Sequence, residues 1–154
     1  MKKIAIGLIA GWALLQAGAE EAQWLTDLPK AQAKAKEEKK LVMLDFTGSD
    51  WCGWCIKLNK EVFSKSEFAE YAKKNLVLVE VDFPRRKAQS ADQKKANEAL
   101  MEKYGVKGYP TIIVLDGEGK QVGELSYDDS GGSAKTAGSP KNFINALDKL
   151  KKKA

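Results

Sequence analysis

Only two cysteines occur in the 154-residue chain, and they stand three apart, at Cys52 and Cys55. Their surroundings constrain the fold more than any other feature. Leu41 to Phe46 (LVMLDF) is an apolar run of strand length, and from Asp50 to about Val62 the residues Trp51, Cys55, Leu58 and Val62 recur at helical spacing. The pair therefore falls where a buried strand gives way to a helix. At i and i+3 both sulfurs share a helix face, with Cα atoms close enough for a disulfide.

Such a pair can staple the chain, hold a metal or exchange electrons. A staple gains little here, since closing a loop of four residues is worth about 2 kcal/mol against about 4.7 for a hundred. Zinc takes about four ligands, and a chain with two cysteines and no histidine cannot complete that set without carboxylates or a second subunit. The missing histidine also weakens a copper-carrier reading and excludes a Cys–His hydrolase. Redox chemistry explains the placement as well as the spacing. With the helix starting near Asp50, Cys52 lies in its first turn, where unpaired N–H groups and the helix dipole stabilise a thiolate. Cys52 is then the exposed attacking nucleophile, and Cys55, a turn deeper, resolves the mixed disulfide. Asp50 opposes this with a like charge. Gly53 and Trp54, between the sulfurs, offer the thiolate no titratable donor, which favours a reducing couple. Trp54 either shapes client access or packs on the domain.

The rest of the chain alternates helix and strand patterns. A helix capped by Thr26 or Asp27, with Pro29 in its first turn, runs to about Lys39. A helix from Ser66 to Lys74, capped by Ser66, leads into the strand Leu76 to Phe83, and Ala91 to Tyr104 forms a helix with Ala96, Leu100 and Tyr104 on one stripe and Gly105 after it. Thr111 to Leu115 and Gln121 to Ser126 flank the turn Asp116-Gly117-Glu118-Gly119 as a hairpin. Ser130 to Ser139 is Gly/Ser-rich and reads as a flexible loop, and Pro140 opens a last helix with Phe143, Ile144, Leu147 and Leu150 inward. That order predicts one α/β domain, its mixed sheet covered by helices on both faces.

Ahead of it, Met1-Lys2-Lys3, an apolar run from Ile4 to Leu15 and the small-residue stretch Ala17-Gly18-Ala19 read as a secretory signal cleaved near Ala19. The run is short of the roughly 20 residues that span a bilayer. Residues 1–19 are thus set apart from a domain of residues 20–154, and the protein is placed in the periplasm or otherwise outside the cytoplasm. Without Lys2 and Lys3 the chain keeps 24 basic against 21 acidic residues, a net +3. These charges are interspersed, so nucleic acid is not an expected partner. Arg85-Arg86-Lys87 reads as a solvated loop.

The motifs WCGWC at 51–55 and GYPT at 108–111, followed by IIVLDGEGK, resemble the thioredoxin superfamily. The longer run FTGSDWCGWCIK is similar to secreted bacterial thioredoxin-like (Dsb-type) oxidoreductases, the chlamydial periplasmic reducing type among them. The resemblance covers roughly residues 24–150. It implies a thioredoxin fold with a sheet of about four strands, and a thiol:disulfide oxidoreductase that reduces or exchanges disulfides of extracytoplasmic proteins. Two alternatives remain: an oxidase of the same fold, and a non-catalytic client-binding module. By this resemblance Pro110 is a cis-proline facing the cysteines, with Tyr109 pairing the client backbone and Trp51, Gly53 and Trp54 flanking it. Asp45 interrupts the apolar strand: either it is a partly exposed strand end, or burial raises its pKa and lets it shuttle a proton for Cys55, a role the resemblance supports because thioredoxins carry an Asp on this strand. It stands seven residues before Cys52, one more than in thioredoxin, so Thr47-Gly48-Ser49-Asp50 must absorb the difference. Further expectations are no metal, no cofactor beyond the Cys52–Cys55 disulfide, a monomer, cysteine-containing secreted clients and a membrane electron-transfer partner.

Overall fold

The computed structural model describes residues 21–154; the signal-peptide reading of residues 1–19 lies outside them. In chain order the elements are β1 (Trp24–Leu25), α1 (Leu28–Glu38), β2 (Leu41–Thr47), α2 (Gly53–Leu58), a π-helical turn (Asn59–Phe63), α3 (Ser66–Asn75), β3 (Leu76–Asp82), α4 (Ala91–Lys103), β4 (Thr111–Leu115), β5 (Gln121–Leu125), a 3-10 turn (Tyr127–Ser130) and α5 (Pro140–Lys151).

One sheet in the order β1-β3-β2-β4-β5 organises them. The strands β1, β3 and β2 run parallel, β4 runs antiparallel to β2, and β5 antiparallel to β4. The mixed α/β sheet matches the expectation of a thioredoxin fold, with five strands rather than four. The extra one, β1, is two residues long and pairs with Leu78 and Val79, too short to show any periodicity in sequence.

All seven residues of β2 are buried, because it lies inside the sheet with helices over both faces. Alternation still sorts them. Met43 joins Leu78, Ile112 and Val114 under Leu58, Val62, Phe68, Phe143 and Leu147. Val42, Leu44 and Phe46 face Ala31 and Ala35 of α1, with Leu100 of α4 and Tyr104 just after it alongside. By the same two-residue period, Asp45 and Thr47 point to the α2 side, next to Glu80 and Asp82 in the register of β3. The C-terminal ends of β3, β2 and β5 and the start of β4 meet at one edge, since Thr47 is level with Asp82, Phe46 with Thr111, and Ile112 with Leu125. That edge carries the cysteines.

Local chemistry accounts for the helix ends and for four corrections. Asp27 caps α1 by accepting the Lys30 N–H at 2.9 Å, with Pro29 in the first turn. Helix α2 begins at Gly53, so Cys52 is its N-cap with extended backbone rather than a first-turn residue. Lys65, not Ser66, precedes α3, and no side chain caps that end. On α4 Ala96 is exposed and Asn97 turns inward, 2% exposed, donating from Nδ2 to the Asp82 carbonyl at 2.8 Å; the buried end of β3 needs a donor, which an apolar stripe does not provide. The Gly/Ser-rich loop is fastened: Gly138 N–H donates to Glu61 Oε2 at 2.6 Å and Ser139 N–H to the Ser130 carbonyl at 2.9 Å. Among the described residues no helix is long and apolar enough to cross a membrane.

Candidate active site

Between β2 and α2 the chain makes one tight turn. The Gly48 carbonyl accepts the N–H groups of Trp51 (3.1 Å) and Cys52 (2.8 Å), which closes the segment between β2 and Cys52. A Cβ at Gly48 would lie 2.5 Å from the Trp51 indole, so the turn requires glycine. Ser49 anchors it from below, its N–H donating to Asp82 Oδ1 at 2.9 Å and its hydroxyl to Asp82 Oδ2.

Cys52 and Cys55 form a disulfide with Cα atoms 5.2 Å apart. As N-cap, Cys52 Sγ accepts the Cys55 N–H at 3.2 Å, the hydrogen bond that a thiolate at that atom would strengthen. Both residues are buried, at 7% and 5% exposure. The expectation of an exposed Cys52 is therefore corrected: solvent reaches Gly53 and Trp54, the latter 44% exposed, which rim the sulfurs. Asp50 is corrected as well. Its carboxylate accepts three successive main-chain N–H groups, from Arg85 (3.0 Å), Arg86 (2.7 Å) and Lys87 (3.0 Å). Those bonds, the Arg85 N–H foremost, hold its pKa below the usual carboxylate value and turn its charge toward that loop.

Trp51 lies against the opposite wall. Its Nε1 donates to the Phe83 carbonyl at 2.8 Å, and its ring meets Tyr109 edge to face at 5.8 Å between centroids. The Tyr109–Pro110 peptide bond is cis. Pro110 lines a cleft of about 200 Å³ with Trp54, Tyr109, Ser126, Tyr127 and Asp128. Trp54 leans on Tyr127, centroids 5.1 Å apart, with Lys57 Nζ within 5.4 Å of both ring centres. The Tyr127 hydroxyl donates to Glu61 Oε2 at 2.6 Å, which ties this wall to the π-helical turn after α2 and to the loop at Gly138. A larger hollow of about 310 Å³ lies at the other end of the sheet, beside Leu25, Lys40 and Leu76. It borders neither sulfur.

Beneath the cysteines Asp45 is 8% exposed, and its Oδ1 has no hydrogen-bond partner. Burial, reinforced by the neighbouring carboxylates of Glu80 and Asp82, pushes its pKa up to about 8. It is a buried strand residue, not an exposed strand end. Among the described residues no group of three or more His, Cys, Asp or Glu side chains is arranged to hold a metal.

The structure thus gathers Cys52, Gly53, Trp54, Trp51, Tyr109 and Pro110 at one edge of the sheet, with Asp45 on the face below. Sequence reasoning missed Tyr127, Glu61 and Arg85. An aromatic directly after a strand that ends beside the cysteines was the available sign of Tyr127; nothing local marks Glu61.

A redox-active dithiol at a helix start, beside a cis-proline and above a buried carboxylic acid on a mixed five-stranded sheet, defines a thioredoxin-fold thiol:disulfide oxidoreductase. The chain belongs to the thioredoxin-like domain family, whose profile matches residues 28–128. It is 39% identical over 112 residues to the disulfide bond reductase DsbH of Chlamydia pneumoniae, covering 73% of this chain and 67% of that protein. With the thioredoxin-related protein DsbJ of Chlamydia pneumoniae it shares 32% identity over 111 residues, which spans 71% of this chain but only 32% of DsbJ. A solved structure of a DsbH oxidoreductase superposes with a TM-score of 0.74 at 33% identity, covering 92% of this chain and 95% of that one.

Proposed function

We propose that this oxidoreductase works as a reductase of disulfides in extracytoplasmic proteins, with Cys52 as nucleophile and Cys55 as resolving thiol. The observation that carries the assignment is the Cys55 N–H directed at Cys52 Sγ, which favours the anion at Cys52 and leaves Cys55 as the sulfur to be activated later. In the first step the Cys52 thiolate attacks a client disulfide, forming a mixed disulfide and releasing one client thiolate, which takes a proton from solvent. Cys55 then loses its proton to the ionised form of Asp45, whose share grows as pH approaches 8, and attacks Cys52 Sγ, which expels the second client thiolate. Two electrons have passed from the protein dithiol to the client, and the internal disulfide remains. Tyr109 and Pro110 receive the client backbone, while Trp51, Gly53 and Trp54 form the rim it crosses.

Turnover requires a dithiol donor, for which a membrane electron-transfer protein is the fitting class, since the reaction lies outside the cytoplasm. Residues 1–19 act as the export signal, and residues 20–154 as a monomeric domain in the periplasm. No cofactor beyond the disulfide is needed.

Insulin reduction driven by dithiothreitol tests the proposal. The wild-type protein accelerates turbidity and Cys52→Ser does not; Cys55→Ser accumulates mixed disulfides with clients. Turbidity no faster than dithiothreitol alone contradicts the enzymatic reading, and trapping by Cys52→Ser instead of Cys55→Ser reverses the two roles.

A further inference from the structure

Arg85 occupies an unusual position beside this site. Its guanidinium carbon lies 3.7 Å from the centre of the Trp51 ring, the residue directly before Cys52. An arginine next to an aspartate ordinarily forms a forked ion pair with it. Here Asp50 gives its oxygens instead to the main-chain N–H groups of residues 85–87. Those bonds fix the backbone of the turn and leave the side chain without an anion. Lys87, by contrast, is occupied: its Nζ donates to Ser49 Oγ at 2.7 Å and lies 3.8 Å from Asp82. Among the described residues Arg85 makes no ion pair, and it is exposed.

A guanidinium stacked on a ring keeps its in-plane N–H donors pointing outward, in the fork that matches a carboxylate. Stacking also removes much of the side-chain freedom that an exposed arginine would lose on binding. Trp51 in turn touches Tyr109, the residue before Pro110. The free fork is therefore one ring away from both the sulfurs and the segment that receives a client.

We infer that Arg85 is a specificity-determining residue which binds an acidic side chain flanking the client's disulfide. The inference rests on the reductase reading and adds to it the charge of the preferred client. An acidic flank gains a charge-assisted contact, a neutral one gains nothing, and a lysine is repelled.

Three synthetic peptides, each closed by one disulfide and differing only in an Asp, Asn or Lys beside a cysteine, provide the test. At low ionic strength the wild-type kcat/KM for the Asp peptide exceeds that for the Asn peptide by about fivefold, the scale of one exposed ionic contact. High salt reduces that preference. Arg85→Gln abolishes the preference, so that the Asp and Asn peptides turn over at equal rates; Arg85→Lys keeps part of it. Lys95→Gln, which removes an exposed charge from α4, leaves it intact and so separates a local contact from net charge. Equal rates on all three peptides with wild-type protein, or a preference that survives in Arg85→Gln, overturn the inference while leaving the reductase reading in place. Failure to reduce any of the peptides overturns both.

Discussion

At the scale of single residues, Asp45 carries the most consequence for its size. A carboxyl with a buried, unpartnered oxygen and two acidic neighbours stays protonated far above its ordinary range, to about pH 8. The unfolded chain releases that proton near pH 4. Between these limits the folded state holds a proton that the unfolded state has lost, so stability falls as pH rises, by at most about 1.4 kcal/mol per pH unit. Below the window the two states bind protons equally and the effect vanishes. Denaturant unfolding of the oxidised protein should show that decline from pH 5 to 8, and Asp45→Asn should remove it. Parallel pH profiles for the two proteins would show that Asp45 ionises freely. If Asp45 also accepts the Cys55 proton, release of the mixed disulfide in the wild type accelerates through pH 8, and Asp45→Asn loses that component.

At the scale of elements, the turn between β2 and α2 decides how the cysteines meet their surroundings. Gly48 and Gly53 bracket it and answer differently to the same substitution. A methyl at Gly48 meets the Trp51 indole at 2.5 Å, whereas one at Gly53 meets nothing within 4 Å. Gly48→Ala should therefore cost about 1–3 kcal/mol, as overpacking does, and slow client reduction by displacing Trp51. Gly53→Ala, at the first position of α2, should leave stability unchanged or slightly raised. Calorimetry of both variants checks the pair; equal effects would mean that the turn is looser than its hydrogen bonds describe. The elements themselves were legible where burial writes a pattern, as in LVMLDF, the 76–83 run and the stripe of α5. They were not where one residue's partner lies far along the chain. Asn97 turns inward for the carbonyl of Asp82, and Glu61 holds Tyr127 and Gly138, more than sixty residues away. Helix α2 starts about three residues later than the sequence pattern implies, because Trp51 stands at helical spacing from Cys55 but belongs to the turn closed on the Gly48 carbonyl.

Viewed whole, the molecule is a sheet whose one edge collects every group the redox reading uses. The sulfurs, the cis-proline and the buried acid were recognisable in sequence because each sits in a short motif. The cleft was not, since Tyr127 and Asp128 arrive from the turn that follows β5, more than seventy residues after the cysteines. On the reductase reading proposed above, this arrangement favours a reducing couple. A strong oxidant needs a reduced state strongly stabilised by its neighbours, and the interval from thioredoxin, about −270 mV, to the periplasmic oxidant, about −120 mV, corresponds to roughly 7 kcal/mol. Among the described residues a single hydrogen bond reaches the sulfurs, the Cys55 N–H on Cys52 Sγ. A helix terminus supplies well under about 2 kcal/mol, and Gly53 and Trp54 add no donor. With Asp50 turned away to the 85–87 loop, missing donors rather than a like charge leave the reduced form weakly stabilised. Titration of the Cys52–Cys55 pair against a glutathione series tests this most directly. The expected midpoint lies below about −200 mV. A midpoint near −120 mV, with a strongly depressed Cys52 pKa, would contradict it: a cation such as Arg85 or Lys107 would then stabilise the thiolate, and the protein would make disulfides rather than reduce them.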